Sequence, residues 1–225
     1  GVATSILGDA SSSVGDLEAA RRAYAEASRI GEQAGNTPTT VLATIQQAGI
    51  LLEQGHLHQA ARAYEEALRL ATLPQGQAWP LAEDAHAGLA IVAYEWNRLE
   101  EAEAHVLECL RLCQQWGPSD MQVVAQAVLA RIHQARGNPE AALEAARSAE
   151  VLAAERQISP AWSSWLGSTL TRVWLAQQRL DKAQAALQEF QADLGEGILA
   201  LRLPESISLA RPSWPKPMAA RSRFP

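Results

Sequence analysis

The sequence predicts an all-α protein, a solenoid of about five helical hairpins with a ~40-residue period. Two observations carry that expectation. Five segments resemble one another: GDLEAARRAYAEA from Gly15, GHLHQAARAYEEA from Gly55, NRLEEAEAHVLEC from Asn97, GNPEAALEAARSA from Gly137 and QRLDKAQAALQEF from Gln178. Their first residues lie 40, 42, 40 and 41 positions apart, and self-similarity at such a period marks a repeat architecture. Within the segments, apolar residues recur at helical spacing. Leu17, Ala20, Tyr24 and Ala27 draw one stripe, and Leu57, Ala60, Tyr64 and Ala67 copy it.

Each segment reads as the second helix of a hairpin. A turn residue precedes it, where a positive φ is needed; glycine suits the position at 15, 55 and 137. Asn97 is the next best residue there, and Gln178 is a poorer fit. First helices are expected over 39–54, 80–96, 120–136 and 161–177. Thr37-Pro38, Pro80, Ser119-Asp120 and Ser159-Pro160 mark their starts, because proline in a first helical turn forfeits no hydrogen bond. Leu7-Gly8, Leu89-Ala90 and Leu129-Ala130 fall at one offset before their turns. Residues 1–192 thus form the array. Residues 193–225 hold a weak sixth hairpin, then a tail whose Pro212, Pro215, Pro217 and Pro225 exclude a helix interior.

The pattern Leu-Gly, then Gly-x-Leu-x-x-Ala-x-x-x-Tyr-x-x-Ala, resembles the tetratricopeptide repeat, with a longer period because of loops such as residues 71–79. With LGDASSSVGDLEAARRAYAEA, LLEQGHLHQAARAYEEALRLA and LAIVAYEWNRLEEAE, it resembles the sensor region of large MalT-like transcriptional regulators of the LuxR family. The resemblance implies a right-handed superhelix with a concave groove. It also implies an NTPase module before the repeats and a helix-turn-helix domain after them, in one longer chain.

Composition fits a binding module. The formal charge is −6, and the lysines are Lys182 and Lys216 alone, so this segment is not expected to grip a phosphate backbone. No apolar run is long enough to span a membrane. The first ten residues do not read as a signal peptide. Two cysteines without a disulfide framework fit a reducing, cytoplasmic compartment. No phosphate loop, GxSxG or HExxH motif is present, so the segment is expected to be neither an enzyme nor a cofactor carrier. His105, Cys109 and Cys113 line one helical face at four-residue steps, a spacing zinc could use. Cys109, however, stands where other repeats carry a core alanine, and a free cysteine serves as a small buried hydrophobe. No metal is expected there. His56 and His58 read as solvated, and His86 and His133 show no acid–base partner.

The tetratricopeptide resemblance also points to groove positions. In such arrays the first helix of each hairpin faces the groove thirteen, ten, six and three residues before the turn. These offsets select Asp84, Ala87, Ile91 and Tyr94; Val124, Ala127, Arg131 and Gln134; and Trp165, Ser168, Arg172 and Leu175. Tyr94, Arg131, Gln134, Trp165 and Arg172 form a candidate polar-aromatic patch whose arginines suit carboxylate or phosphate groups. The plainer alternative is an internally paired set, with Asp84 and Glu95 as counter-ions. The expected function is a non-catalytic sensor domain binding a small effector, protein or peptide in the groove. The alternative is a stand-alone peptide-binding adaptor or scaffold. The version of that adaptor that clamps a terminal carboxylate with Lys and Asn is disfavoured, because Ile45, Gly49, Ala87 and Ile91 hold the groove positions.

Overall fold

The computed structural model describes residues 2–185, apart from 14, 73–77, 118, 157 and 159. The helices are α1 (Val2–Ser13), α2 (Leu17–Gln33), α3 (Thr37–Glu53), α4 (Leu57–Leu70), α5 (Ala82–Glu95), α6 (Leu99–Trp116), α7 (Asp120–Ala135), α8 (Pro139–Arg156) and α9 (Pro160–Ala176). Residues 180–185 begin a further helix. Among the described residues there is no β-strand, only an isolated bridge between Thr72 and Ala78. The weak sixth hairpin and proline-rich tail expected over 193–225 lie outside the described residues.

One turn builds every hairpin. Gly15, Gly55, Asn97, Gly137 and Gln178 all take positive φ, between 58° and 80°. After each, the next backbone N–H reaches back to the helix it left: Asp16 to Ser11, His56 to Leu51, Arg98 to Ala93, Asn138 to His133 and Arg179 to Trp174, at 2.8–2.9 Å. This is the Schellman closure, which satisfies carbonyls that a helix end leaves orphaned. Gln178 adopts the left-handed conformation although its side chain suits it poorly. The two hydrogen bonds made by Gln178 N–H and Arg179 N–H offset that cost. Asp16 and Asn36 then cap α2 and α3 through the amides of Ala19 and Thr39.

Small residues set how closely the helices approach. Ala20, Ala27, Ala60, Ala67, Ala102, Ala142 and Ala149 are fully buried, and Cys109 shares that state at the same repeat position. Its core role follows from register. Each second helix also packs on the first helix of the next hairpin. At the α4–α5 junction Tyr64 fills the space over Gly88, where an added Cβ would lie 2.2 Å from the ring. The equivalent positions one junction later are Val106 and Val128, buried in one apolar cluster. A large residue against glycine thus becomes two of medium size. Trp174 lies in the core, 1% exposed.

This junction yields a direct test by chemical denaturation. Gly88→Ala should cost ~1–3 kcal/mol through overpacking, and Tyr64→Ala ~3–5 kcal/mol through the void it leaves. The exposed Gln59→Ala should stay within ~0.5 kcal/mol. With the ring gone, Gly88→Ala should lose its penalty, so the double variant should be less destabilised than the sum. Strict additivity would show that the ring does not fill the space over Gly88.

Candidate functional site

The candidate patch lies on the first helices of three successive hairpins, α5, α7 and α9. The structure brings its centre together. Arg131 of α7 donates from Nη2 to Glu95 Oε1 of α5 at 2.7 Å, and both side chains are only 9% exposed. The same guanidinium lies over the Tyr94 ring, 4.0 Å from its centroid. Burial strengthens both contacts, because little water competes for the charge. At one edge, Gln177 Nε2 donates to Gln134 Oε1 at 3.1 Å. Trp165, half-buried, packs against two apolar clusters. Arg172 and Leu175 are exposed.

Two expectations need correction. The groove offsets predict a lining open to a ligand, yet Ala87, Ile91, Val124 and Ala127 are at most 4% exposed, and Tyr94 and Arg131 are buried. The physical reason is their size. Alanine and valine allow α5 and α7 to touch directly, so the middle of the concave face is helix–helix core rather than an open floor. The accessible part lies towards α9, at Gln134, Trp165, Ser168, Arg172 and Leu175. The second correction concerns counter-ions. Glu95 is the partner of Arg131, whereas Asp84 lies among other acids. Burial, then the charge of Glu83 and that of Asp120, push the Asp84 carboxyl up to about 7.

The sequence reading missed one polar contact. His86 of α5 and His105 of α6 face each other with Nδ1 atoms 2.9 Å apart. His105 therefore turns to α5 rather than joining a line with the two cysteines. Register held the clue. The repeat position of His105 carries Ala23, Ala63, Ala145 and Ala186 in the other repeat segments, so His105 departs from the pattern. Cys109 Sγ lies 3.7 Å from the Met121 carbonyl oxygen and Cys113 Sγ 3.5 Å from Ser119 Oγ; both thiols are buried and form no disulfide. The hydrogen bond with Cys113, then burial, push the Cys109 thiol far above its ordinary range, so it stays protonated. Among the described residues, no three His, Cys, Asp or Glu side chains are placed to hold a metal ion.

Two outcomes are expected from these geometries. Arg131→Met should cost ~3–5 kcal/mol, because it strands the Glu95 carboxylate. Adding Glu95→Leu should recover most of the loss, and a thermodynamic cycle on the two positions reads this directly. Asp84→Asn should stabilise the fold by roughly 1–3 kcal/mol above pH 7. The raised carboxyl of the folded state costs stability as pH rises through about 7. The gain should therefore shrink as pH falls below 7 and vanish near pH 4, the ordinary carboxyl range. Thermal melts across pH measure it, and a pH-independent difference would point to another cause.

Comparison with known proteins agrees with the hairpin geometry. The MalT-like TPR region family matches residues 1–206. The HTH-type transcriptional regulator MalT of Vibrio campbellii is 26% identical over 183 residues, 81% of this chain and 20% of that protein. The MalT of Vibrio cholerae is 25% identical over 187 residues, 83% of this chain and 21% of that protein. The chain thus spans about a fifth of the length of these curated relatives. Among solved structures, BtubC from P. vanneervenii has a TM-score of 0.62 at 19% identity, covering 98% of this chain and 85% of its own. A Podosopora anserina putative kinesin light chain with TPR-like repeats has a TM-score of 0.55 at 16% identity, covering 86% of this chain and 94% of its own. These likenesses show a shared fold of stacked helical hairpins. The closing turns, the alanine stripe and the family match over most of its length lead to one conclusion: the chain belongs to the MalT-like TPR region family.

Proposed function

We propose that this chain is the non-catalytic sensing segment of a longer cytoplasmic transcriptional regulator, binding a small effector or a protein partner on its concave face. The observation that carries the reading is the buried Tyr94–Glu95–Arg131 constellation. A buried ion pair is weak support for stability, since apolar residues of similar volume often hold a fold as well. Its presence in an otherwise alanine- and valine-rich interface fits a binding role beside the accessible Gln134, Trp165 and Arg172. Membership of the MalT-like family, and the name of the relatives as HTH-type regulators, support its place in such a chain. The NTPase and helix-turn-helix modules would then lie in the same polypeptide, outside this segment. Direct nucleic-acid contact by the segment itself is disfavoured by its net charge of −6.

The reading assigns Arg172 and Trp165 to the rim of the site and Arg131, held by Glu95, to the packed layer beneath it. Asp84 lies at the far end of α5. A ligand found by thermal-shift screening of the wild type should bind Arg172→Ala at least ~10-fold more weakly, the worth of one charge-assisted contact. Gln134→Ala should weaken it less. Both variants should keep the wild-type melting temperature within a few degrees. Wild-type affinity in both would place the ligand off this face.

A further inference from the structure

The His86–His105 pair has no part in the concave face, and its geometry is specific. The Nδ1 atoms are 2.9 Å apart and the ring centroids 5.2 Å apart. The centroid separation exceeds the nitrogen separation by about two ring radii, so the two nitrogens meet head-on. One of them must carry the proton and the other its lone pair. Both rings are half-buried, between the first and second helices of the third hairpin. The charged groups that act on them are Glu101, Glu108 and Arg111 of α6 and Glu65 of α4. Arg111 already engages Glu108, through Nε at 2.8 Å and Nη2 at 2.6 Å.

We propose that the His86–His105 pair is an acid-sensitive latch of the third hairpin, closed by one shared proton and opened when both rings are charged. The proton count explains the threshold. In the neutral pair, the donor ring holds its hydrogen on Nδ1 and the acceptor on Nε2. A first added proton can settle on Nε2 of the donor, and the resulting imidazolium still donates to its neutral partner. A second must occupy Nδ1 of the acceptor. Two N–H groups then face each other across 2.9 Å, on two like charges. The hydrogen bond is lost, and α5 is driven from α6. Because α5 also carries Tyr94 and Glu95, the latch sits on the helix that holds Arg131 of the next hairpin.

The pH window follows from the two rings. Burial, then the neighbouring His105, lower the His86 imidazole to about 4; burial also lowers His105. An unfolded chain takes up these protons near pH 6.5. A depressed folded-state value means that the stabilising effect is complete above pH 6.5 and is lost as pH falls towards 4. The test compares thermal unfolding of the wild type, His105→Ala and His86→Gln between pH 8 and pH 4.5. His105→Ala restores the residue found at this position in the four other repeat segments. Buried acids such as Asp84 act alike in all three proteins, so differences isolate the pair. The wild type should lose about 5 °C more than either variant over that range. NMR titration of the wild-type imidazoles should show His86 uncharged at pH 5.5, a readout independent of whether the variants fold. Parallel pH profiles in all three proteins, or two imidazoles titrating near pH 6.5, would overturn the proposal.

Discussion

A single backbone hydrogen bond, from the residue after each turn to a carbonyl five positions earlier, governs the shape of this molecule. It recurs at Asp16, His56, Arg98, Asn138 and Arg179 with nearly one length. It can form only if the preceding residue is left-handed, so one dihedral angle at five sites fixes how each second helix leaves the first. Once that angle is set, the alanine stripes meet and neighbouring hairpins stack. Glycine makes the turn easily, and Asn97 and Gln178 are carried into it by the bonds that follow.

Close approach has a second effect on the inner face. With alanine and valine between α5 and α7, little room is left there for water. A glutamate and an arginine on those helices must then satisfy one another, and Glu95 and Arg131 do so under Tyr94. Polar ties at the periphery reinforce the stacking. Arg136 of the α7–α8 turn bonds Glu103 of α6 at 2.7 Å, and Arg156 at the end of α8 reaches the Ser119 carbonyl oxygen and Gln122 Oε1. The Arg136 contact links successive hairpins and the Arg156 contacts tie α8 to the start of α7, whereas the exposed three-apart Arg–Glu pairs on α2 and α4 stay within one helix and add little.

The fold was legible because its determinants are local. Period, stripe and turn residues can all be read along the chain, and the four expected first helices match α3, α5, α7 and α9 to within two residues at each end. The site was legible only in part. Offsets from the turn named Tyr94, Arg131 and Trp165 as neighbours of one face, and Tyr94 and Arg131 do touch. The degree of burial did not follow, because it depends on how near α5 and α7 come, a distance set by side chains on both helices at once. Asp84 shows the same limit. Its sequence position offers an acid for an arginine, but only the packed structure brings Asp120 near it and buries it. His86 and His105 lie on separate helices, and comparison across repeats marks only His105 as departing from its position.

The exchange of bulk between successive junctions makes the repeats poor substitutes for one another. Tyr64 needs the bare backbone of Gly88, while Val106 meets Val128. Excising the third hairpin would set a tyrosine against Val128, where no space exists for its ring. Arrays of identical modules lengthen or shorten by recombination with little penalty. These two junctions are keyed, so the order of the hairpins they join is itself inherited information, and this part of the solenoid tolerates substitution within a fixed succession better than gain or loss of a unit.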